Sequence, residues 1–157
     1  MVYFIADGPV ENLTTGKRYD YIQHAINDAN PGDEIVVSEG IYHENINFKG
    51  KSLMVRSINP DDSAVVAKTI INGSNQGPVV TFANGENRSC LLTGFTITNG
   101  NKGIYYSGVC ATITNCNIIE NGDAGIKAQG TLGRSGPTIV NCTIAGNKGP
   151  QDYRRRL

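Results

Sequence analysis

Apolar and polar residues alternate in short runs through most of the chain after residue 33, and the runs end at glycines or asparagines. This pattern predicts short β-strands separated by turns. An earlier segment has a different period, since four apolar positions between Ile22 and Ala29 recur with helical spacing before Pro31-Gly32. Asp20, followed three residues later by Gln23, predicts a capping box at the start of this helix. The sequence therefore predicts one helix followed by many short strands.

The strand region repeats itself. GIYYSG at residues 103–108 returns as GIKAQG at residues 125–130, a shift of 22 residues, and a looser copy with its own Asn-Gly lies in TIINGSNQGPVVTF at residues 69–82. Self-similarity at this distance predicts a solenoid. The shift of 22 aligns Leu91 with Ile113, Gly94 with Cys116, Thr96 with Ile118, Asn99 with Asn121 and Gly100 with Gly122, and a shift of 26 places Ile139, Cys142, Ile144 and Asn147 in the same series.

The content of each period selects the type of solenoid. After residue 30 no segment has the helical spacing that helical repeats require, and the Gly-bounded hexapeptides favour strands where a leucine-rich repeat, the second choice, has its other half. The sequence therefore predicts an all-β parallel β-helix of about five coils. It forms a single domain of residues 1–157: a strand and capping helix in 1–33, coils in 34–147 and a tail in 148–157. The register between Ser57 and Asn87 stays open.

Stacking of equivalent residues makes further predictions. Ile104 is expected to lie inside the coil against Ile126, with Tyr105 and Lys127 as neighbours on the outside. The inward or outward direction of Tyr106 stays open, because Ala128 occupies the same slot in the next coil. Two ladders are expected, one of Asn99, Asn121 and Asn147 at a bend and one of Cys116 and Cys142 inside.

Composition excludes several classes of protein. The formal net charge is zero and 18% of residues are charged, so the basic surface of a nucleic-acid-binding protein is missing. No stretch reaches the roughly 18 apolar residues of a membrane span. The opening MVYFIADG lacks the regions of a signal peptide, which leaves the compartment open. The four cysteines lack metal-binding spacing and are expected to be reduced, packed thiols.

The longest continuous signal lies near the N-terminus. YDYIQHAINDANPGDEIVVSEGIYHENINFKGKSLMVRS at residues 19–57, followed by LTGFTITNG and ITNCNIIENG, resembles the cap and first coils of the right-handed parallel β-helix proteins of the pectate-lyase-like superfamily. The resemblance extends from Tyr3 to about Asn147 and implies a right-handed β-helix with an amphipathic N-terminal capping helix. Such proteins include polysaccharide lyases, epimerases, esterases, glycosidases and cell-surface proteins without known activity, so the fold does not settle the function. The resemblance implies secreted or cell-surface relatives.

The candidate ligand-binding residues share the outward face beside the repeat: Tyr105, Lys127, Lys102, Glu120 and Asp123. A tyrosine among charged groups suits a sugar ring and its hydroxyl or carboxylate groups. The sequence therefore favours non-catalytic recognition of a polysaccharide, without a cofactor. The alternatives are a calcium-dependent polysaccharide lyase or epimerase, and a structural or oligomerisation module or fragment without a ligand. A lyase requires a basic residue and several carboxylates around calcium, more than Glu120 and Asp123 provide, and no catalytic residue is assigned.

Three other motifs receive structural interpretations. Asp61-Asp62 is expected to form a turn, and Tyr42-His43-Glu44 resembles the Tyr-x-Glu of esterase members, with a structural role. The terminal QDYRRRL is too short and too charged to cover the last coil. The sequence therefore predicts that this end associates with a second copy, as a homodimer, or belongs to a longer protein.

Overall fold

The protein, described here by a computed structural model of residues 8–129 and 136–149, consists almost entirely of short strands. Its two helices are α1 (Ile22–Asp28) and α2 (Ser63–Lys68). The strands are β1 (Val10–Asn12), β2 (Arg18–Tyr19), β3 (Glu34–Val37), β4 (Gly40–His43), β5 (Ile46–Asn47), β6 (Met54–Ser57), β7 (Thr69–Asn72), β8 (Pro78–Phe82), β9 (Leu91–Thr93), β10 (Thr96–Thr98), β11 (Lys102–Ser107), β12 (Thr112–Thr114), β13 (Asn117–Ile119), β14 (Ile126–Gln129), β15 (Thr138–Val140) and β16 (Thr143–Ala145).

The strands form three sheets, and each coil of the chain adds one strand to each sheet. The first sheet has the order β15-β12-β9-β6-β3-β1-β2, the second β16-β13-β10-β7-β4 and the third β14-β11-β8-β5. From β3 onward all pairs are parallel, and the antiparallel β1 and β2 cover the outer edge of β3. The described residues contain four complete coils and two strands of a fifth. The predicted right-handed parallel β-helix with its capping helix is therefore confirmed.

The register of the third sheet agrees with the prediction. Ile104 pairs with Ile126, Tyr105 with Lys127 and Tyr106 with Ala128, at the predicted shift of 22 residues. The shift of 26 is also confirmed, because β12 pairs with β15 and β13 with β16 at that distance. The longer shift has a simple origin: four residues separate β11 from β12, whereas eight separate β14 from β15.

The predicted register of the first and second sheets between these coils is wrong by one residue. Leu92 pairs with Ile113 and Ile97 with Ile118, a shift of 21 residues. The extra residue lies in the bend between β13 and β14, where no strand pairing fixes the length. A slip of one residue exchanges the two faces of a strand, so Leu92 is buried and Leu91 is partly exposed. The alignments of Gly94 with Cys116, Thr96 with Ile118 and Asn99 with Asn121 fail for the same reason.

Inward side chains of equivalent strands form continuous apolar ladders. Full burial of each isoleucine contributes roughly 1.5 to 3 kcal/mol relative to exposure, and the ladders run through Ile35, Val55, Leu92 and Ile113, through Ile71, Ile97 and Ile118, and through Ile46, Val80, Ile104 and Ile126.

The open slot of Tyr106 is directed inward. Its partner in β8 is Phe82, which is fully buried with its ring centroid 4.5 Å from that of Phe48. Tyr106 is partly buried and packs against the same core. The slot therefore narrows from two aromatic rings to Ala128, and Tyr106 keeps part of its ring at the surface.

Helix α1 covers the first coil, but its cap differs from the prediction. The capping residue is Tyr21, with no side-chain capping bond, so the predicted capping box of Asp20 and Gln23 is wrong. The carboxylate of Glu44 instead accepts hydrogen bonds from the backbone N–H groups of Ile22 and Gln23, both at 2.9 Å. A residue of the first coil therefore satisfies donors that the helix leaves open.

Other polar side chains complete this closure. Gln23 bonds the backbone of Asn47 twice, since its Nε2 donates to the carbonyl at 3.0 Å and its Oε1 accepts from the N–H at 2.7 Å. Lys51 Nζ donates to the carbonyls of Ile26, Asn27 and Ala29 at 2.7 to 2.9 Å, at the C-terminal end of the helix. The Tyr42 hydroxyl donates to the Ser38 carbonyl at 2.7 Å. Tyr42 and Glu44 thus have the structural role expected of their motif.

Asparagines at the bends are joined in a different grouping from the predicted ladder. Asn147 Oδ1 accepts from the backbone N–H and the Nδ2 of Asn121, both at 2.9 Å, and Asn121 Oδ1 accepts from the N–H of Gly100 at 3.0 Å. Asn99 pairs instead with Asn72 at 3.0 Å. The ladder is therefore confirmed for Asn121 and Asn147 and wrong for Asn99, because the bend contains the extra residue.

The turn at Asp61-Asp62 has a capping function. Asp62 accepts a hydrogen bond from the Ala64 N–H at 2.9 Å at the start of α2. Asp61 accepts from Asn115 Nδ2 at 3.1 Å, and Asn115 Oδ1 accepts from Asn141 Nδ2 at 2.6 Å. These contacts agree with a structural role.

The last described coil is less covered than the others. Ile139, Cys142 and Ile144 are partly buried, whereas their partners Ile113, Cys116 and Ile118 are at most 1% exposed. The tail of residues 150–157 lies outside the described residues. Association of a second copy at this end stays a prediction.

Replacing Glu44 by glutamine should lower the free energy of unfolding by about 1 to 2 kcal/mol, because one backbone donor at the helix start loses its acceptor and the carboxylate charge is removed. Urea titration followed by circular dichroism measures the change. Glu39→Gln is the matched control, since Glu39 is an exposed residue of the same coil. Equal stability of the two variants would contradict the capping role.

Replacing Asn121 by alanine should cost about 2 to 4 kcal/mol of unfolding free energy, because buried backbone groups of two coils lose their partners. Asn121 is fully buried and also donates to the Ile97 carbonyl at 3.3 Å. The control is Asn99→Gly, which removes an exposed bond and keeps a residue suited to the positive φ of 57°. A cost for Asn121→Ala no greater than that of the control would contradict the ladder.

Candidate functional site

A groove lies on the outer face of the third sheet, where the sequence places its candidate residues. It has a volume of about 290 Å3. Three successive coils supply its lining, which consists of Pro78, Lys102, Tyr105, Lys127, Ala128 and Gln129. Since neighbouring strands lie about 4.8 Å apart, the groove spans roughly 10 Å across the coils.

Tyr105 occupies the centre of this surface. Its strand neighbours are Thr81 on one side and Lys127 on the other. Its hydroxyl donates a hydrogen bond to Gln129 Oε1, and the side chain is partly exposed. The ring is therefore held in place by a neighbouring coil while part of it faces solvent.

The charged groups of the groove are mainly basic. Lys102 and Lys127 belong to adjacent strands and are both partly exposed. Lys102 Nζ lies 3.9 Å from Asp123 Oδ2, and the side chains are 24% and 45% exposed. An exposed pair of this length is weak, so Lys102 can exchange it for a carboxylate ligand.

The structure brings four of the five predicted residues together. Lys102, Tyr105 and Lys127 line the groove, and Asp123 touches it through Lys102. Glu120 is exposed at the preceding bend, with a positive φ of 54°, and does not line the groove. Whether these residues bind a ligand stays a prediction.

Two lining residues were missed from the sequence. Pro78 comes from the coil whose register the sequence left open, and it pairs with Lys102. Proline suits the first residue of a strand, which is a signal that could have located it. Ala128 was placed in an inward slot, but its small side chain leaves it partly exposed.

Two further concave regions occur among the described residues. One, of about 230 Å3, is bordered by Asp61, Asn115 and Asn141, whose polar groups bond to one another. The other, of about 460 Å3, is larger than the groove but includes Glu44 and Tyr42, which close the N-terminal cap. The groove at Tyr105 is the better candidate because its lysines point to a ligand of opposite charge.

The described residues do not bring three or more His, Cys, Asp or Glu side chains together in a way that could hold a metal ion. Over the same ranges, neither helix has the length and apolar character needed to cross a membrane. The groove instead offers two ammonium groups, an aromatic ring and an amide. This set can donate hydrogen bonds to carboxylate or hydroxyl groups and can pack against the apolar face of a ring.

Known proteins resemble this chain over most of the coils. A family model described as a right handed beta helix region matches residues 79–152. A cell surface glycoprotein of Methanothermus fervidus is 36% identical over 115 residues, which cover 71% of this chain. The chain spans only 17% of that relative. No solved structure matches.

The family match agrees with the observed architecture. It begins within β8 and continues through every later coil described above. Those coils pair in parallel and stack their apolar residues inward. The chain therefore belongs to the right-handed parallel β-helix proteins, and its resemblance to the pectate-lyase-like superfamily is consistent with this family.

Proposed function

We propose that this chain is a carbohydrate-recognition unit of a cell-surface β-helix protein, and that the groove at Tyr105 binds a polysaccharide containing carboxylate groups. The observation that carries the proposal is the placement of Lys102 and Lys127 beside one partly exposed tyrosine ring. The surface location is supported by the similarity to a cell surface glycoprotein.

The chemistry of the groove favours an acidic sugar over a neutral one. An ammonium group forms a charge-assisted hydrogen bond with a carboxylate, which is about twice as strong as a bond between neutral groups. The tyrosine ring offers a flat apolar face for the C–H side of a pyranose. Gln129 fixes the phenol and leaves its amide nitrogen directed to other acceptors. The groove can therefore contact both the charged and the apolar side of a uronic acid.

The shape of the groove supports a polymer as the ligand. It is a shallow groove on the outer face of a sheet, and its lining comes from three successive coils. Coils of a solenoid create extended binding surfaces because each coil repeats the same spacing. A linear polymer can contact several coils at once, and its affinity then rises with the number of sugars that touch the surface.

The test is binding of the protein to polygalacturonate, measured by biolayer interferometry at low salt, with dextran as the neutral probe. Lys127→Gln keeps much of the side-chain length and removes the charge, and it should weaken polygalacturonate binding roughly tenfold. Tyr105→Leu should weaken it by a similar factor. The matched control is Lys68→Gln, an exposed lysine at the end of α2 outside the groove, which should bind as the original chain does.

Three results would contradict the proposal. Equal loss with Lys68→Gln would show attraction by total charge alone. Equal binding of dextran would remove the preference for carboxylates. Shortening of polygalacturonate during incubation, with or without calcium, would show catalysis instead of recognition alone. Weaker binding at higher salt is expected, because salt screens exposed charges.

A further inference from the structure

Two cysteines of successive coils lie against each other near the end of the described solenoid. Thr114 pairs with Val140 before them and Asn117 with Thr143 after them. The Thr143 N–H donates to the Cys116 carbonyl at 2.9 Å. Cys116 and Cys142 are therefore stacked, in agreement with the expected ladder.

We infer that Cys116 and Cys142 form an oxidisable pair that closes a disulfide between two coils. In-register neighbours on parallel strands have Cα atoms about 4.8 Å apart, within the usual disulfide range of about 4.4 to 6.8 Å. Both thiols are free in this structure. The inference does not depend on the proposed sugar groove.

The sulfur contacts support an interaction across the two coils. Cys142 Sγ lies 3.7 Å from the Ile113 carbonyl oxygen, which belongs to the coil of Cys116, and 3.4 Å from that of Val140. The Cys116 thiol is hydrogen-bonded to Cys142. The two side chains are therefore directed into the same space between the coils.

Their environments give the two sulfurs different reactivities. Cys142 is partly exposed, and its hydrogen bond with Cys116 lowers the pKa of its thiol to about 7 despite the opposing effect of burial. Cys116 is 1% exposed, and burial raises the pKa of its thiol. The thiolate is the attacking form of cysteine, so Cys142 reacts first and Cys116 second.

A small disulfide such as oxidised glutathione is the oxidant that balances the reaction. The Cys142 thiolate attacks one glutathione sulfur, the glutathione S–S bond breaks, and one glutathione thiolate leaves. Cys116 then loses its proton and attacks Cys142 in the mixed disulfide, which releases the second glutathione. Both cysteines are oxidised, and one oxidised glutathione is reduced to two thiols that take up the protons.

The disulfide would enclose the longest connection between the later coils. The segment between the cysteines includes β14, which supplies Lys127, and the eight residues that separate β14 from β15. Closing this segment restricts the unfolded chain more than the folded one. Oxidation should therefore stabilise the last coils and hold β14 against its neighbours.

The experiment incubates the purified chain with oxidised glutathione at pH 8 and maps its disulfides by mass spectrometry without reduction. The expected product has lost two hydrogen atoms and yields one cross-linked peptide pair containing residues 116 and 142. Its melting temperature should rise by roughly 5 to 10 °C. Cys142→Ala and Cys116→Ala should each abolish the cross-link and the rise. Cys110→Ala should retain both, because Cys110 is also partly exposed but lies outside the pair.

Alkylation by iodoacetamide tests the assignment without requiring a disulfide. The rate at Cys142 should rise through a midpoint near pH 7, and Cys116→Ala should move this midpoint upward because the hydrogen bond is lost. The inference is overturned if oxidation leaves glutathione on Cys142 with Cys116 still free, or if another pair is linked instead. An unchanged midpoint in Cys116→Ala would also overturn it.

Discussion

In-register pairing between successive coils is the constraint on which the rest of this structure depends. Each strand of a coil has its partner directly above and below, so a side chain meets its equivalent at the strand spacing of about 4.8 Å. Inward positions must therefore accept like against like, and isoleucine does so in Ile104 with Ile126 and in Ile113 with Ile139. The same pairing stacks Cys116 on Cys142, which turns two ordinary buried thiols into neighbours.

Because pairing continues from coil to coil, the first coil needs a separate device to stop it. The antiparallel β1 and β2 cover the first sheet, and Gln23 satisfies the backbone of Asn47 at the edge of the third. Helix α1 covers the apolar interior, with Glu44 at its start and Lys51 at its end. The first coil thus supplies both ends of the helix with polar partners, so the cap and the solenoid stabilise each other.

Outward positions are free of the packing constraint, and the chain varies there. Along the third sheet the outward series changes from Asn47 to Thr81, Tyr105 and Lys127 while the inward series stays apolar. The bends vary as well, since Asn121 adds a buried amide where the earlier coil has Gly100. A groove with a distinct charge can therefore form on one face without a change in the core.

The sequence by itself determined the fold, the third-sheet register and the location of the candidate groove. Glycines and isoleucines recur there at a constant distance, and alternation then fixes the face of Tyr105 and Lys127. Only the tertiary structure decided the 21-residue shift of the other two sheets, because a bend can absorb one residue without any periodic signal. It also decided the partner of helix α1, since Glu44 is distant in sequence and reaches Ile22 only after the first coil has closed. Local patterns report repeated contacts between like positions, whereas single long-range polar contacts depend on where the folded backbone places each group.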